Sequence, residues 1–271
     1  MKKFALSLSI SILLFSCNSG DKPGPENGNG TVTEAAPPII AYGVLNAYPH
    51  DTASFVQGLW VYQGKLYEST GSPAAPDNNG SWLGEVDFKT GKAQKKVTIP
   101  DDYFGEGSTL INNKVYYITY QKRIGFVYEY PSFKKIREFS YATEGWGLTN
   151  DGKNLIMSDG SSSLYFYNPE TLQVQNILGV LDNNGPVPNL NELEYIGGFI
   201  YANQWQTNYI LKIDPNSGKV VGRMEFDSLD KEVKAKYPGA EYLNGIAYDS
   251  AANKIYITGK KWPTLYEIKL L

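Results

Sequence analysis

The chain has 271 residues, 42% of them hydrophobic and 14% aromatic, with 27 Gly, 15 Pro and a formal charge of −3. That balance suits an all-β protein punctuated by tight turns and gives no basis for a nucleic-acid partner. With one histidine and one cysteine in the whole sequence, a His/Cys zinc centre is excluded. A Ser-His-Asp triad could be built only on His50, and no nucleophile elbow, P-loop or dinucleotide fingerprint occurs.

The N-terminus reads as a targeting segment. A basic start, Met1–Lys3, leads into the apolar run FALSLSISILLF, too short to span a bilayer comfortably. It ends in LFSC, which resembles the lipobox of bacterial lipoproteins, with cleavage before Cys17 and lipidation of that cysteine. Residues 1–16 are therefore expected to be a signal peptide. Its removal takes away Lys2 and Lys3, leaves a charge of about −5, and leaves no cysteine for a disulfide. Residues 17–38 carry the lipidated Cys17 and a polar, Gly/Pro-rich run that cannot bury enough apolar surface to offset its ordering. The folded domain is expected over residues 39–271.

Within that domain one pattern recurs: a turn with Gly or Asn, an apolar pair, then a small polar residue. It appears in QGKLYEST, NNKVYYIT, DGKNLIMS, GGFIYANQ and ANKIYITG, centred on Leu66, Val115, Leu155, Ile200 and Ile255. A second alternating strand follows each copy: SWLGEVDF, IGFVYEYP, SSLYFYNP, NYILKIDP and TLYEIKLL. Four copies then meet a turn and a further short strand, and the chain ends within the fifth. Repeats of this length, each with several strands, predict the blades of a five-bladed β-propeller. The segment IIAYGVLNAYP is expected to supply the missing outer strand and close the ring. The charged stretch Asp227–Gly239 reads as a short helix or loop inserted between blades.

Polar and aromatic residues stand in corresponding places of different blades, where a propeller would gather them at one mouth. They are Phe55 and Gln57 in FVQGL, Phe104 and Glu106 in FGEGST, Trp146 in EGWGLT, and Asn191, Glu192 and Glu194 in LNELEYI. Trp205 in ANQWQT, Asn244 in LNGIAYD and Lys260 and Trp262 in ITGKKWP complete the set. Taken singly, each has an ordinary reading. Glu106 between two glycines is a solvated loop residue, the tryptophans are core, Asn191 belongs to a turn and Lys260 to the surface. Glu192 and Glu194 read as structural or channel-lining, and His50 as structural or near the site rim.

Together, and in this order, the motifs FVQGL, YESTG, FGEGST, GWGLT, NELEY, NQWQT, LNGIAYD and TGKKWP resemble the plant and bacterial glutaminyl-peptide cyclotransferases. The resemblance covers nearly all of residues 42–271. It implies a five-bladed propeller that converts N-terminal glutamine to pyroglutamate with release of ammonia. It implies that Glu106 is the catalytic acid/base, and that Gln57, Asn191 and Lys260 are the polar groups holding the substrate. Phe55, Phe104, Trp146 and Trp205 would wall the pocket. Tyr120 stands where many members of the family carry tryptophan, so an altered pocket width is expected. The stabiliser of the oxyanion stays open among Lys260, Gln57 and Asn191. The glycines beside Glu106 are expected to let the backbone turn and the substrate approach closely.

No catalytic metal or cofactor is expected, although a structural cation such as calcium in the central channel is compatible with the fold. The expected partners are peptides or proteins with N-terminal Gln, and the membrane only through the lipid. A monomer is expected, in the periplasm or lipid-anchored at the outer membrane of a Gram-negative bacterium. Two other readings remain: a non-enzymatic propeller binding peptides or glycans, and a lactonase-like hydrolase with a channel calcium.

Overall fold

The computed structural model describes residues 35–72 and 80–271. The expected leader, the lipidated Cys17 and most of the tether lie outside the described residues. In chain order, β1 (Tyr42–Pro49) comes first. Blade I holds β2 (Phe55–Tyr62), β3 (Lys65–Gly71), β4 (Trp82–Val86) and β5 (Ala93–Thr98). Blade II holds β6 (Gly105–Ile111), β7 (Lys114–Thr119), β8 (Ile124–Glu129) and β9 (Lys135–Ser140). Blade III holds β10 (Leu148–Asn150), β11 (Leu155–Ser158), β12 (Ser163–Tyr167) and β13 (Val174–Gly179). After a small hairpin, β14 (Leu181–Asp182) with β15 (Gly185–Pro186), blade IV holds β16 (Leu190–Ile196), β17 (Phe199–Gln204), β18 (Tyr209–Ile213) and β19 (Val220–Glu225). Helix α1 (Asp227–Lys236) leads to blade V, with β20 (Leu243–Asp249), β21 (Lys254–Gly259) and β22 (Thr264–Leu270).

Blade V is completed by β1, which pairs antiparallel with β22 from Tyr42↔Leu270 to Pro49↔Thr264. The expected ring closure is therefore present, and it removes an open sheet edge. Glu267 pins the join by accepting from Asn46 Nδ2 (3.0 Å) and the Tyr48 hydroxyl (2.8 Å). Just upstream, Pro38 and Ile40 exchange backbone hydrogen bonds with Arg223 on β19, so the entering chain also ties blade IV to blade V.

The recurring residues Leu66, Val115, Leu155, Ile200 and Ile255 are all buried on the second strands of their blades. Apolar clusters fill each gap between neighbouring blades rather than forming one common core. The inserted stretch is helical over Asp227–Lys236, with Asp227 and Asp230 in its first turn and Lys234 and Lys236 in its last, which complements the helix dipole. Its Leu229 and Val233 are buried in the cluster between blades IV and V.

The small polar residue that ends each repeat copy has a job in packing. Ser69 Oγ donates to the Glu106 carbonyl at 2.8 Å, and Ser158 Oγ donates to the Asn191 carbonyl at 2.7 Å. Asn203 Oδ1 accepts the Gly245 N–H at 2.9 Å. Each therefore joins its blade to the inner strand of the next. Thr258, in the same place in blade V, bonds instead within its own blade, to the Thr264 carbonyl, and blade II carries the apolar Ile118 there.

The inner strands β2, β6, β10, β16 and β20 stand side by side around the channel. Their channel-facing edges carry N–H groups that the blade ladders do not use, and buried amides need partners. Glu192 supplies two of them: from blade IV its carboxyl accepts Leu59 N–H of blade I (3.2 Å) and Ile246 N–H of blade V (2.8 Å). Glu194 accepts Tyr248 N–H (2.8 Å) and the Thr149 hydroxyl (3.2 Å). Burial raises both carboxyls, Glu192 well above its ordinary value and Glu194 to about 8. These acids are structural, one of the two readings the sequence left open.

Two expectations follow. Glu192→Gln turns one acceptor oxygen into a donor facing a backbone N–H, and should cost about 1–3 kcal/mol in urea unfolding. A cost below about 0.5 kcal/mol, the range of ordinary surface changes, would contradict the bridging role. Glu194→Gln keeps an acceptor for Tyr248 and a donor for the Thr149 oxygen. Because the folded protein holds the Glu194 proton more tightly, ionising it opposes folding, and stability falls as pH climbs from 4.5 to about 8. The variant should gain on wild type through that window; equal slopes would contradict the assignment.

Candidate active site

The site is built at the entry ends of the inner strands. In four blades the pairing of the first two strands slips there, at Gln57, at Glu106–Gly107, at Asn191–Glu192 and at Asn244–Gly245. A register shift of this kind leaves residues out of the ladder and re-aims their side chains. The same motif position thus brings Gln57, Glu106 and Asn191 to the channel mouth, with Asn244 bonded behind Gln57.

Glycines make the convergence sterically feasible. A Cβ on Gly58 would lie 2.7 Å from Ser108 N, and one on Gly107 would run into Leu148 N. On Gly105 it would strike the Tyr117 hydroxyl. The glycines flanking Glu106 therefore serve close blade-to-blade packing. Neither carries a left-handed φ, so these packing contacts, rather than a left-handed turn, are what require glycine there.

A second set comes from the ends of the second strands. Tyr120 N donates to the Phe104 carbonyl, Trp205 N to that of Asn189 and Lys260 N to that of Tyr242, all at 2.8–2.9 Å. Tyr120, Trp205 and Lys260 are thus equivalent positions of blades II, IV and V. Two of them bring rings and the third brings a cation.

These elements enclose a cavity of about 350 Å³ lined by Phe55, Gln57, Phe104, Glu106, Tyr120, Trp146, Asn191, Trp205, Glu241, Tyr242 and Lys260. Every one of the nine pocket residues chosen from the sequence lies on it. Glu241 and Tyr242 were not foreseen. Tyr242 had a usable signal, since it stands two residues before Asn244 as Phe55 does before Gln57 and Phe104 before Glu106. Asn244, Glu192, Glu194, His50 and Trp262 do not line the cavity. His50 is buried, with Nε2 2.9 Å from Glu68 Oε2 and Nδ1 2.8 Å from the Trp262 carbonyl, which is a structural place. Trp262 is fully buried and donates its indole N–H to the Glu241 carbonyl.

Six rings form a continuous arc: Phe55, Phe104, Tyr120, Trp146, Trp205 and Tyr242. Successive centroids are 5.5–6.2 Å apart, and every pair meets edge to face. Such contacts hold the rings rigidly. Lys260 Nζ lies 4.6 Å from the Phe55 centroid.

The polar groups sit on the floor. Glu106 and Lys260 are 5% and 4% exposed, values that put both ionisable heads in a dry environment. Burial pushes the Glu106 carboxyl well above the usual carboxylate value; Lys260 opposes that shift and Glu144 adds to it. Burial brings the Lys260 ammonium down to about 8, while Glu106 and Glu241 favour its charged form. Among the described residues the Glu106 carboxyl has no hydrogen-bond partner, and Asn191 Oδ1 is buried without one. Gln57 Oε1 is held by Asn244 Nδ2 at 3.4 Å, and Asn244 is anchored on the Val56 carbonyl at 3.0 Å. Glu106 and Lys260 line one cavity with largely apolar walls, where burial raises the proton affinity of the carboxyl and lowers that of the ammonium. Among the described residues no three His, Cys, Asp or Glu side chains converge as metal ligands.

Comparison with known proteins places these features. Residues 18–270 match the family model for glutamine cyclotransferase. A glutaminyl-peptide cyclotransferase of Arabidopsis thaliana is 35% identical over 99% of this chain and 84% of its own length. The crystal structure of Myxococcus xanthus glutaminyl cyclase superposes with a TM-score of 0.76 at 32% identity, covering 86% of this chain and 98% of that one. With a match over nearly its whole length and a five-bladed propeller, the chain belongs to the glutamine cyclotransferase family.

Proposed function

We propose that this protein cyclises the N-terminal glutamine of peptides and proteins to pyroglutamate, with Glu106 as the general acid/base. Family membership supports the reaction. The observation that carries the residue assignment is a desolvated carboxyl, Glu106, beside a desolvated ammonium, Lys260, on the floor of an aromatic cavity.

The reaction is intramolecular, so ordering the glutamine side chain is much of the task, and rigid rings suit a short aliphatic chain. The α-amine nitrogen attacks the side-chain amide carbon. The new C–N bond closes the ring, and the amine must lose a proton. The amide oxygen takes up the negative charge, and the amide nitrogen needs that proton to leave as ammonia. Glu106 takes the proton from the amine and returns it to the departing nitrogen, so it ends as it began and no water is consumed. Lys260, Gln57 and Asn191 share the floor and supply donors for the oxyanion. The reading needs no metal.

Glu106→Gln keeps the shape of the floor and removes the proton carrier. Ammonia release from a Gln-initiated peptide should fall about 10²–10⁴-fold with the fold intact. Wild-type release should be unchanged by chelator. An active Glu106→Gln enzyme would sink the assigned role, and chelator sensitivity the metal-free reading. Lys260→Met removes the charge that holds the Glu106 pKa down. It should slow the reaction and move the Glu106 limb of the pH–rate profile to higher pH; movement to lower pH would contradict the pairing.

We also propose that Cys17 anchors the enzyme by lipid on the far side of the cytoplasmic membrane, so that its substrates are exported chains with N-terminal Gln. The LFSC motif supports this. Labelling with a fatty-acid analogue should follow the wild-type chain and vanish in Cys17→Ser. Equal labelling of both would rule the anchor out.

A further inference from the structure

One carboxylate just outside the cavity touches the pocket without lining it. Glu144 lies in the segment TEGWG, which enters blade III before β10. Its Oε2 accepts the Trp146 indole N–H at 3.1 Å, and its Oε1 accepts Gln121 Nε2 at 3.4 Å. The Tyr120 hydroxyl faces the same carboxylate, which together with burial raises the tyrosine.

Trp146 and Tyr120 are the two central rings of the arc, 6.2 Å apart, and Trp146 meets Trp205 edge-on at 5.5 Å. The Trp146 indole also rests on Gly160, where a methyl would lie 2.5 Å from Cζ2. The ring is thus packed on its face and along its edges. Ring packing gives the indole N–H no polar partner. A half-buried indole N–H needs an acceptor, and Glu144 is the one it has among the described residues.

We propose that Glu144 is a positioning residue for the cyclisation: by accepting the Trp146 indole N–H and facing the Tyr120 hydroxyl, it locks the two central rings of the wall against the aliphatic chain of the bound glutamine. The inference rests on the cyclase reading above. It has an electrostatic corollary. Glu106 is faced by Lys260 from the end of β21, by Glu144 from the segment before β10, by Tyr117 of β7, and by Tyr120 and Tyr141. Among these Glu144 is the one other acid, so its charge favours the protonated form of Glu106.

The test compares wild type, Glu144→Ala and Glu144→Gln in ammonia release from a short Gln-initiated peptide, across pH. Loss of a hydrogen bond to a charged group is expected to lower kcat/KM about ten-fold in Glu144→Ala, mainly through KM. Glu144→Gln keeps an acceptor for the indole and should recover most of that loss. It lacks the charge, so its Glu106 limb should move to lower pH. In a Trp146→Phe background, which has no indole N–H, Glu144→Ala should cost little more. An unchanged kcat/KM in Glu144→Ala, or the same loss in the Trp146→Phe background, would overturn the proposal. If Glu144→Ala does not fold, Glu144→Gln against wild type decides: a kcat/KM near wild type with the limb moved to lower pH supports the proposal, and an unmoved limb overturns it. A wild type that releases no ammonia would refute the cyclase reading instead, a different result from an active wild type indifferent to residue 144.

Discussion

The fold turns on what happens to the inner edges of five sheets. Each blade satisfies its own ladder, but its first strand presents unused N–H groups, such as those of Leu59 and Ile246, that are buried on the channel side. Glu192 resolves the problem for two blades from a third, through Leu59 and Ile246. Asn203 accepts one more such N–H, from Gly245, while Ser69 and Ser158 donate to the Glu106 and Asn191 carbonyls of the next blade's inner strand. The blades are therefore joined by polar contacts on the channel side and by apolar clusters farther out. A buried carboxyl here is kept because the backbone donors around it would otherwise be orphaned.

The same geometry makes the pocket. Where the inner strands slip register, side chains leave the ladder and point to the mouth. Polar groups from blades I, II and IV arrive there together, and blade V contributes Lys260 from an equivalent of the Tyr120 and Trp205 positions. The rings that line the cavity also shield Glu106 and Lys260 from solvent. One arrangement thus shapes the cavity and perturbs the proton affinities on it, with Glu144 and Lys260 pulling Glu106 in opposite directions.

Much of this was legible in the sequence. The repeat centred on Leu66, Val115, Leu155, Ile200 and Ile255 gave the five blades because each copy must bury the same second strand. The closing strand was legible because the fifth copy lacked its outer strand and IIAYGVLNAYP had none to pair with locally. The pocket side chains were legible through family motifs, whereas singly Lys260 reads as surface and Glu106 as a loop acid. Glu241 and Tyr242 escaped because they precede the LNGIAYD motif, and only a blade-to-blade alignment puts Tyr242 beside Phe55 and Phe104. The purpose of Gly105 and Gly107 was hidden as well. What they make room for is Tyr117 in the adjacent strand and Leu148 in the next blade, contacts set by tertiary structure alone.

The proposed chemistry depends on the pocket drying the Glu106 carboxyl and raising it well above the ordinary carboxylate value. Its most direct test is a titration of Glu106 followed by carboxyl infrared or carbon-13 signals, assigned by subtracting Glu106→Gln from wild type. The account predicts a midpoint well above the ordinary 4.5. A midpoint at or below that value would contradict it.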